Sequence, residues 1–292
     1  MISDEFVTPS SKTTVYIEKF KTNAEVVETI QSRNLVNRMS PHNRYLVPEG
    51  MKVTAGSPGW SGFMDSDELR DLVSFGVDDD CFKKQVKAMA GAKTSMTNTP
   101  ARTRVTQVTG GAVHMGRYLS GSPQCMVRVR KQVKKSPVIK IGIDVSVSAY
   151  VTKNEMEAMG RNIAEAVRGL EASGYSIRLD VVSGFSYDRS TSLLVCRAKS
   201  EGEPMNLRRM LYPLVSVSYV RGMAFSWAVT EPHAQQQSNL GMPIYYGLKP
   251  EDRDALYKHV LGDDAVQLNL MSLIDSHATA EDIRRMLLGN RA

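Results

Sequence analysis

Acidic residues are missing from a long interior stretch of this sequence. Between Asp80 and Asp144 there is neither Asp nor Glu. Those 63 residues carry 13 Lys and Arg, although the whole 292-residue chain is only +6 at pH 7. The remainder is therefore net acidic, and charge is segregated along the chain. A concentrated positive field attracts polyanions, so the block reads as a phosphate-binding surface for nucleic acid. A basic face meeting an acidic protein partner is the alternative. Aromatics are also scarce there: Phe82 and Tyr118 are the only two, few for a base-stacking platform. Cysteine is scarce throughout. Cys81, Cys125 and Cys196 are widely spaced and odd in number, which argues against a disulfide framework and for a reducing compartment. Without a CxxC pair or a Cys/His cluster, structural zinc is not expected. No apolar run reaches the roughly 18 residues of a membrane span. The first residues lack a basic and then apolar leader, so no signal peptide is read and a cytoplasmic protein is expected. The phosphate-binding loop, the dinucleotide GxGxxG, the HExxH zinc motif and the GxSxG nucleophile elbow are all absent, which leaves an enzyme without an obvious centre. What is present is ordinary globular material: 42% hydrophobic residues suffice for one large or two modest cores.

Read along the chain, residues 1–14 are polar and suggest a flexible arm. Thr14–Phe20 suits a strand and Ala24–Arg38 a helix. Residues 41–62 are rich in Pro and Gly and read as loop. A helix runs from Asp65 to Gly76, and another from Phe82 to Gly91 after the capping acids Asp78, Asp79 and Asp80. Residues 92–108 are polar, basic and Thr-rich, as in an arm that orders on binding. After Pro137 the pattern changes. Residues 138–143 form a nearly all-apolar run expected of a buried parallel strand. Thr152 and Glu155 form a capping box ahead of Met156, Met159, Ile163, Val167 and Leu170, one apolar helix face that ends at Gly174. Strands follow at 177–182 and 192–198, then a broken helical region at 207–229, a polar loop at 231–241 and a helix at 251–261. Val266–Ile274 reads as a strand and Thr279–Leu288 as a last helix. Alternating strands and helices predict an α/β protein. Its mainly parallel sheet, flanked by helices, occupies residues 137–292, and a smaller basic α+β region occupies 15–136.

Directly after the strand at 138–143 comes Asp144-Val-Ser146-Val-Ser148. One carboxylate and two hydroxyls at alternate positions, at the carboxyl edge of a parallel sheet, supply hard oxygens suited to Mg²⁺ or Mn²⁺. This D-x-S-x-S element, followed by a helix, resembles the metal-ion-dependent adhesion site of von Willebrand factor type A domains. The resemblance spans residues 137–292 and extends to the element order of strand, helix, hairpin, helices, strand, helix. It implies a type A, Rossmann-like domain binding a divalent cation, with a partner carboxylate completing the metal shell. It also implies that Asp275, after the strand at 266–274, joins Asp144, Ser146 and Ser148 as a ligand. The family's further Thr ligand has no clear counterpart; Thr191, Ser216 and Ser218 are the positions to consider. Members of that family mostly bind proteins, some of them beside ATPases, and few are enzymes.

Within the acid-free block, Arg102, Arg104, Arg117, Arg128, Arg130, Lys131, Lys134 and Lys135 are the expected nucleic-acid contacts, densest at 128–135. There Val127, Val129 and Val133 interleave with the charges, as in an exposed strand. Residues 110–126 are similar to uncharacterised proteins of tailed bacteriophages, which implies the cytoplasm of an infected bacterium. The expectation is a non-enzymatic adaptor. It would hold nucleic acid, single strands favoured, through the basic surface and recruit a protein such as a polymerase or ATPase through the cation site. A structural or assembly protein with an acidic partner, and a metal-dependent nuclease or hydrolase, are the alternatives.

Overall fold

The computed structural model describes residues 1–33, 71–73, 75–76, 102–131, 136–148, 150–186, 190–230 and 242–289. The loop expected at 41–62, the acids at 78–80, the helix at 82–91, the turn at 187–189 and the loop at 231–241 lie outside the described residues, as do Lys134 and Lys135. The chain is mixed α/β, built on one mostly parallel six-strand sheet with helices on both faces. The strands are β1 (Ile2–Val7), β2 (Thr14–Phe20), β6 (Val138–Asp144), β7 (Ser176–Ser186), β8 (Ser190–Lys199) and β10 (Ala265–Asn269). Their spatial order is β1-β2-β8-β7-β6-β10, and the two-residue β9 (Met242–Pro243) adds to the end of β7. Pairs β2–β8, β7–β6 and β6–β10 are parallel; β1–β2 and β7–β8 are antiparallel. A separate three-stranded sheet joins β3 (Arg102–Gln107), β5 (Met126–Lys131) and β4 (Ala112–Val113), with the short α2 (Met115–Leu119) between β4 and β5.

Alternation along each strand divides the core in two. On β6, Ile139, Ile141 and Ile143 enter the larger core. That core also holds α1 (Asn23–Ser32), α3 (Lys153–Ala172), α4 (Leu207–Val215), α5 (Phe225–Thr230), α8 (Leu270–Asp275) and α9 (Ala280–Leu288). The smaller core lies on the other face. There Val15 and Ile17 of β2, Leu193 and Val195 of β8 and Val182 of β7 meet α6 (Ile244–Gly247) and α7 (Pro250–Leu261). Gly142 sits on this second face because a Cβ there would come 2.1 Å from Leu261 Cδ1, so its absence lets α7 lie close on β6.

The capping box expected at Thr152 forms in both directions: Thr152 Oγ1 accepts from the Glu155 amide, and the Glu155 carboxylate accepts from the Thr152 amide. Gly174 adopts φ +92°, the left-handed turn that releases the chain into β7. Three expectations need correction. Residues 2–7 are not a loose arm. They pair with β2 as β1, and their turn is fixed by Asp252, which accepts from the Ser10 amide at 2.7 Å and the Ser11 amide at 2.9 Å. Residues 102–107, read as part of a flexible arm, form β3, because every position finds a partner on β5. The apolar run 266–274 is not one strand. It becomes strand β10 and then helix α8 at Asn269, whose side chain accepts from the Ser272 amide and starts the helix. The broken helical region is α4, a π-helical turn at Tyr219–Ala224, and α5. Pro213 lies within α4, and the break follows at Ser216.

Candidate functional site

β6 explains the placement of Asp144. With its isoleucines turned into the larger core, Lys140, Gly142 and Asp144 take the alternate face, toward α7. Asp144 is 2% exposed. Its Oδ1 accepts from the Ser146 amide at 2.8 Å. Its Oδ2 accepts from the Tyr257 hydroxyl of α7 at 2.7 Å and from Asn269 Nδ2 at the end of β10 at 2.9 Å. One carboxylate thus joins the ends of two neighbouring strands to the helix that covers them. Burial pushes the Asp144 carboxyl above its ordinary range, against the opposing pull of these hydrogen bonds. Burial and the Asp144 charge likewise push the Tyr257 hydroxyl well up, so Tyr257 stays a donor.

The loop after Asp144 is tied down on both sides. Ser146 is buried, and its Oγ accepts from the Gly184 amide of β7 at 2.7 Å. Val151 O accepts from the buried Arg221 guanidinium in the π-helical turn at 2.8 Å. Ser148 is half-buried and accepts from the Tyr150 amide at 3.4 Å, while Tyr150 itself is 93% exposed.

The four expected cation ligands are not all brought together, and those that adjoin already carry hydrogen bonds. Both oxygens of Asp144 are engaged by donors, and the Ser146 hydroxyl already serves Gly184. Asn269, the residue at the end of β10, offers its amide nitrogen to Asp144 and spends its oxygen capping α8. Asp275, the expected fourth ligand, is exposed at the far end of α8, because the strand it was to follow stops at Asn269. The positions considered for the Thr ligand are occupied elsewhere. Thr191 donates to Ser186 Oγ, and Ser216 and Ser218 share a hydrogen bond at 2.7 Å. Among the described residues, no three His, Cys, Asp or Glu side chains gather as a metal cluster. Reading the sequence missed Tyr257 and Asn269. Asn269 carried a usable signal, an N-cap residue three positions ahead of Ser272 inside an apolar run. Tyr257 carried none, since it occupies an ordinary apolar position of α7.

The basic positions of the small sheet are set by strand register. The β3–β5 register sets Arg102 opposite Lys131, Arg104 opposite Val129, Thr103 opposite Arg130 and Val105 opposite Arg128. Opposite residues share a face and successive residues alternate. Positions 102, 104 and 131 therefore fall on one face and 128 and 130 on the other. Arg117 lies on α2 and is exposed, as is Arg128. None of the side chains described over residues 106–128 is buried, and Val108, Val113, Met115, Tyr118 and Leu119 are among the exposed ones. Residues 102–131 contain six Lys and Arg and no acid.

The fold defines a single α/β body with a small basic sheet inserted between β2 and β6. The chain belongs to the family described as a domain of unknown function (DUF7192), whose model matches residues 8–287. No curated protein and no solved structure matches the chain. Among the described residues no helix is long and apolar enough to cross a membrane.

Proposed function

We propose that the chain is a non-enzymatic, nucleic-acid-binding adaptor that makes its phosphate contacts through the β3–β5–β4 sheet and α2. The observation that carries this reading is the sheet itself: six cations, no acid, and no buried side chain among those described from 106 to 128. A polyanion supplies what such a surface lacks, both counter-charge and cover. Cations on both faces suit a flexible single strand, which can wrap a two-sided ribbon, better than a stiff duplex. The α/β body serves as the protein-recruiting limb, a role supported by the type A resemblance of residues 137–292 and by the exposed Tyr150 beside Ser148. Asp144, bonded to Tyr257, Asn269 and the Ser146 amide, fixes the start of the loop that leads to Tyr150. The likeness of residues 110–126 to tailed-phage proteins supports a bacterial cytoplasmic setting.

Fluorescence anisotropy with labelled single-stranded DNA, duplex DNA and RNA over a salt series tests the reading. Binding should weaken steeply with salt, with a slope of about −0.7 per single-strand phosphate contact. Arg117→Glu combined with Arg128→Glu changes two exposed side chains. It should weaken binding by about tenfold or more, flatten the slope and leave the circular dichroism spectrum unchanged. Failure of all three nucleic acids to bind, or equal binding by the double variant, overturns the proposal.

A further inference from the structure

β8 runs antiparallel to β7, so its C-terminal end at Lys199 lies at the opposite edge of the sheet from Asp144. A cleft of about 1140 Å³ opens there, between the start of α1, the end of β8 and the start of α4. That is ample for a ligand of nucleotide size. Its described lining includes five cations, Lys21, Arg197, Lys199, Arg208 and Arg209, against one acid, Glu203. Two of the cations build the wall. Lys199 is buried, pairs with Glu171 at 2.7 Å and donates to the carbonyl oxygens of Ile177, Ser200 and Glu203. Arg197 donates its Nε–H to Asp180, which Arg178 also holds. Lys21, Arg208 and Arg209 are exposed at the cleft. The first turns of α1 and α4 also line it, adding their partial positive charge to that of the side chains.

Part of the remaining wall is apolar. Met205 and Leu207 contribute to it, and so does Phe75, which is 68% exposed. Gly76 holds this segment in place. Its φ is +80°, and a Cβ there would come 2.4 Å from the Arg208 carbonyl oxygen, so the backbone of residue 76 rests directly on the first turn of α4. Cations and an exposed aromatic ring in one cleft match a ligand that carries both phosphates and a flat, stackable group. A free phosphate or sulfate has no use for the ring, and an uncharged aromatic has none for the cations.

We propose that this cleft binds a nucleoside phosphate, its phosphates between Lys21 and Arg209 and its base against Phe75. The residues lie on other elements than the β3–β5–β4 sheet, so either binding function can fail while the other stands. Isothermal titration of the full chain with the four ribonucleoside triphosphates, adenosine and inorganic tripolyphosphate tests it. At least one triphosphate should bind, and both adenosine and tripolyphosphate should bind about tenfold more weakly or less. Lys21→Glu with Arg209→Glu should cost the triphosphate about tenfold or more in affinity at an unchanged melting temperature. Phe75→Ala should weaken the triphosphate yet leave tripolyphosphate as it was. No triphosphate binding at millimolar concentration, tripolyphosphate equal to the best triphosphate, or a double variant that binds as the wild type does, each overturns the proposal.

Discussion

Asp144 to Ala would leave three donors, the Tyr257 hydroxyl, Asn269 Nδ2 and the Ser146 amide, without their acceptor. Unsatisfied buried donors are costly, so this variant should lose about 3 kcal/mol of stability in urea denaturation. Tyr257→Phe removes one of the three donors and should lose about 1–2 kcal/mol. A loss for Asp144→Ala smaller than for Tyr257→Phe would contradict the shared-acceptor geometry. The same carboxyl has a pH signature. Burial raises its folded pKa, so between the unfolded and folded values the native state holds a proton that the unfolded chain has released. Its contribution is complete below about pH 4, the unfolded value, and is lost as pH rises toward the raised folded value. The stability difference between wild type and Asp144→Asn should accordingly shrink from pH 4 upward, and a flat difference would rule the raised value out. Asp144 itself was legible in the sequence, from its place after an apolar run. Its partners were not, because Tyr257 and Asn269 lie more than a hundred residues further on and the sequence places no constraint on which carboxylate they reach.

Single elements were most legible where a local signal governs them. The Thr152 and Glu155 box, the apolar spacing of α3 and the Gly174 turn depend on residues three or four apart, and all three appear as expected. β10 and α8 were merged because an apolar run is as compatible with a buried helix as with a buried strand; the Asn269 cap decides it. α3 also carries a contact that no local pattern reveals. A Cβ at Gly160 would stand 2.5 Å from the Leu214 carbonyl oxygen and 2.6 Å from Val215 Cγ1, so α3 and α4 touch backbone to side-chain stub at that point. Gly160→Ala therefore sets a helix-propensity gain of about 1 kcal/mol against an overpacking cost of about 1–3 kcal/mol. With backbone as the nearest obstacle the cost should dominate, and the melting temperature should fall. A rise would mean that α4 shifts freely.

On the scale of the whole molecule, the boundary at residue 137 marks a change of composition but not an edge of the sheet. β2 lies parallel on β8, and Val15 and Ile17 complete the smaller core with Leu193, Val195 and Tyr257. Local reading could not find this, since nothing near Thr14 announces Ser190 as its partner. A fragment of residues 137–292 should thus expose the β8 edge and the part of that core that Val15 and Ile17 cover, and should aggregate or melt well below the full chain. A fragment as stable as the full chain would show that the first two strands are dispensable. The same pairing has a consequence for how the protein is made. The β1–β2 hairpin is synthesised well before the strand it must join, which follows only after the whole basic sheet and α3. At about 5–20 residues per second that interval is roughly 10–30 s. For that time one edge of β2 has its backbone donors and acceptors bare, and the nascent hairpin is open to any chaperone or neighbouring chain that offers it a strand.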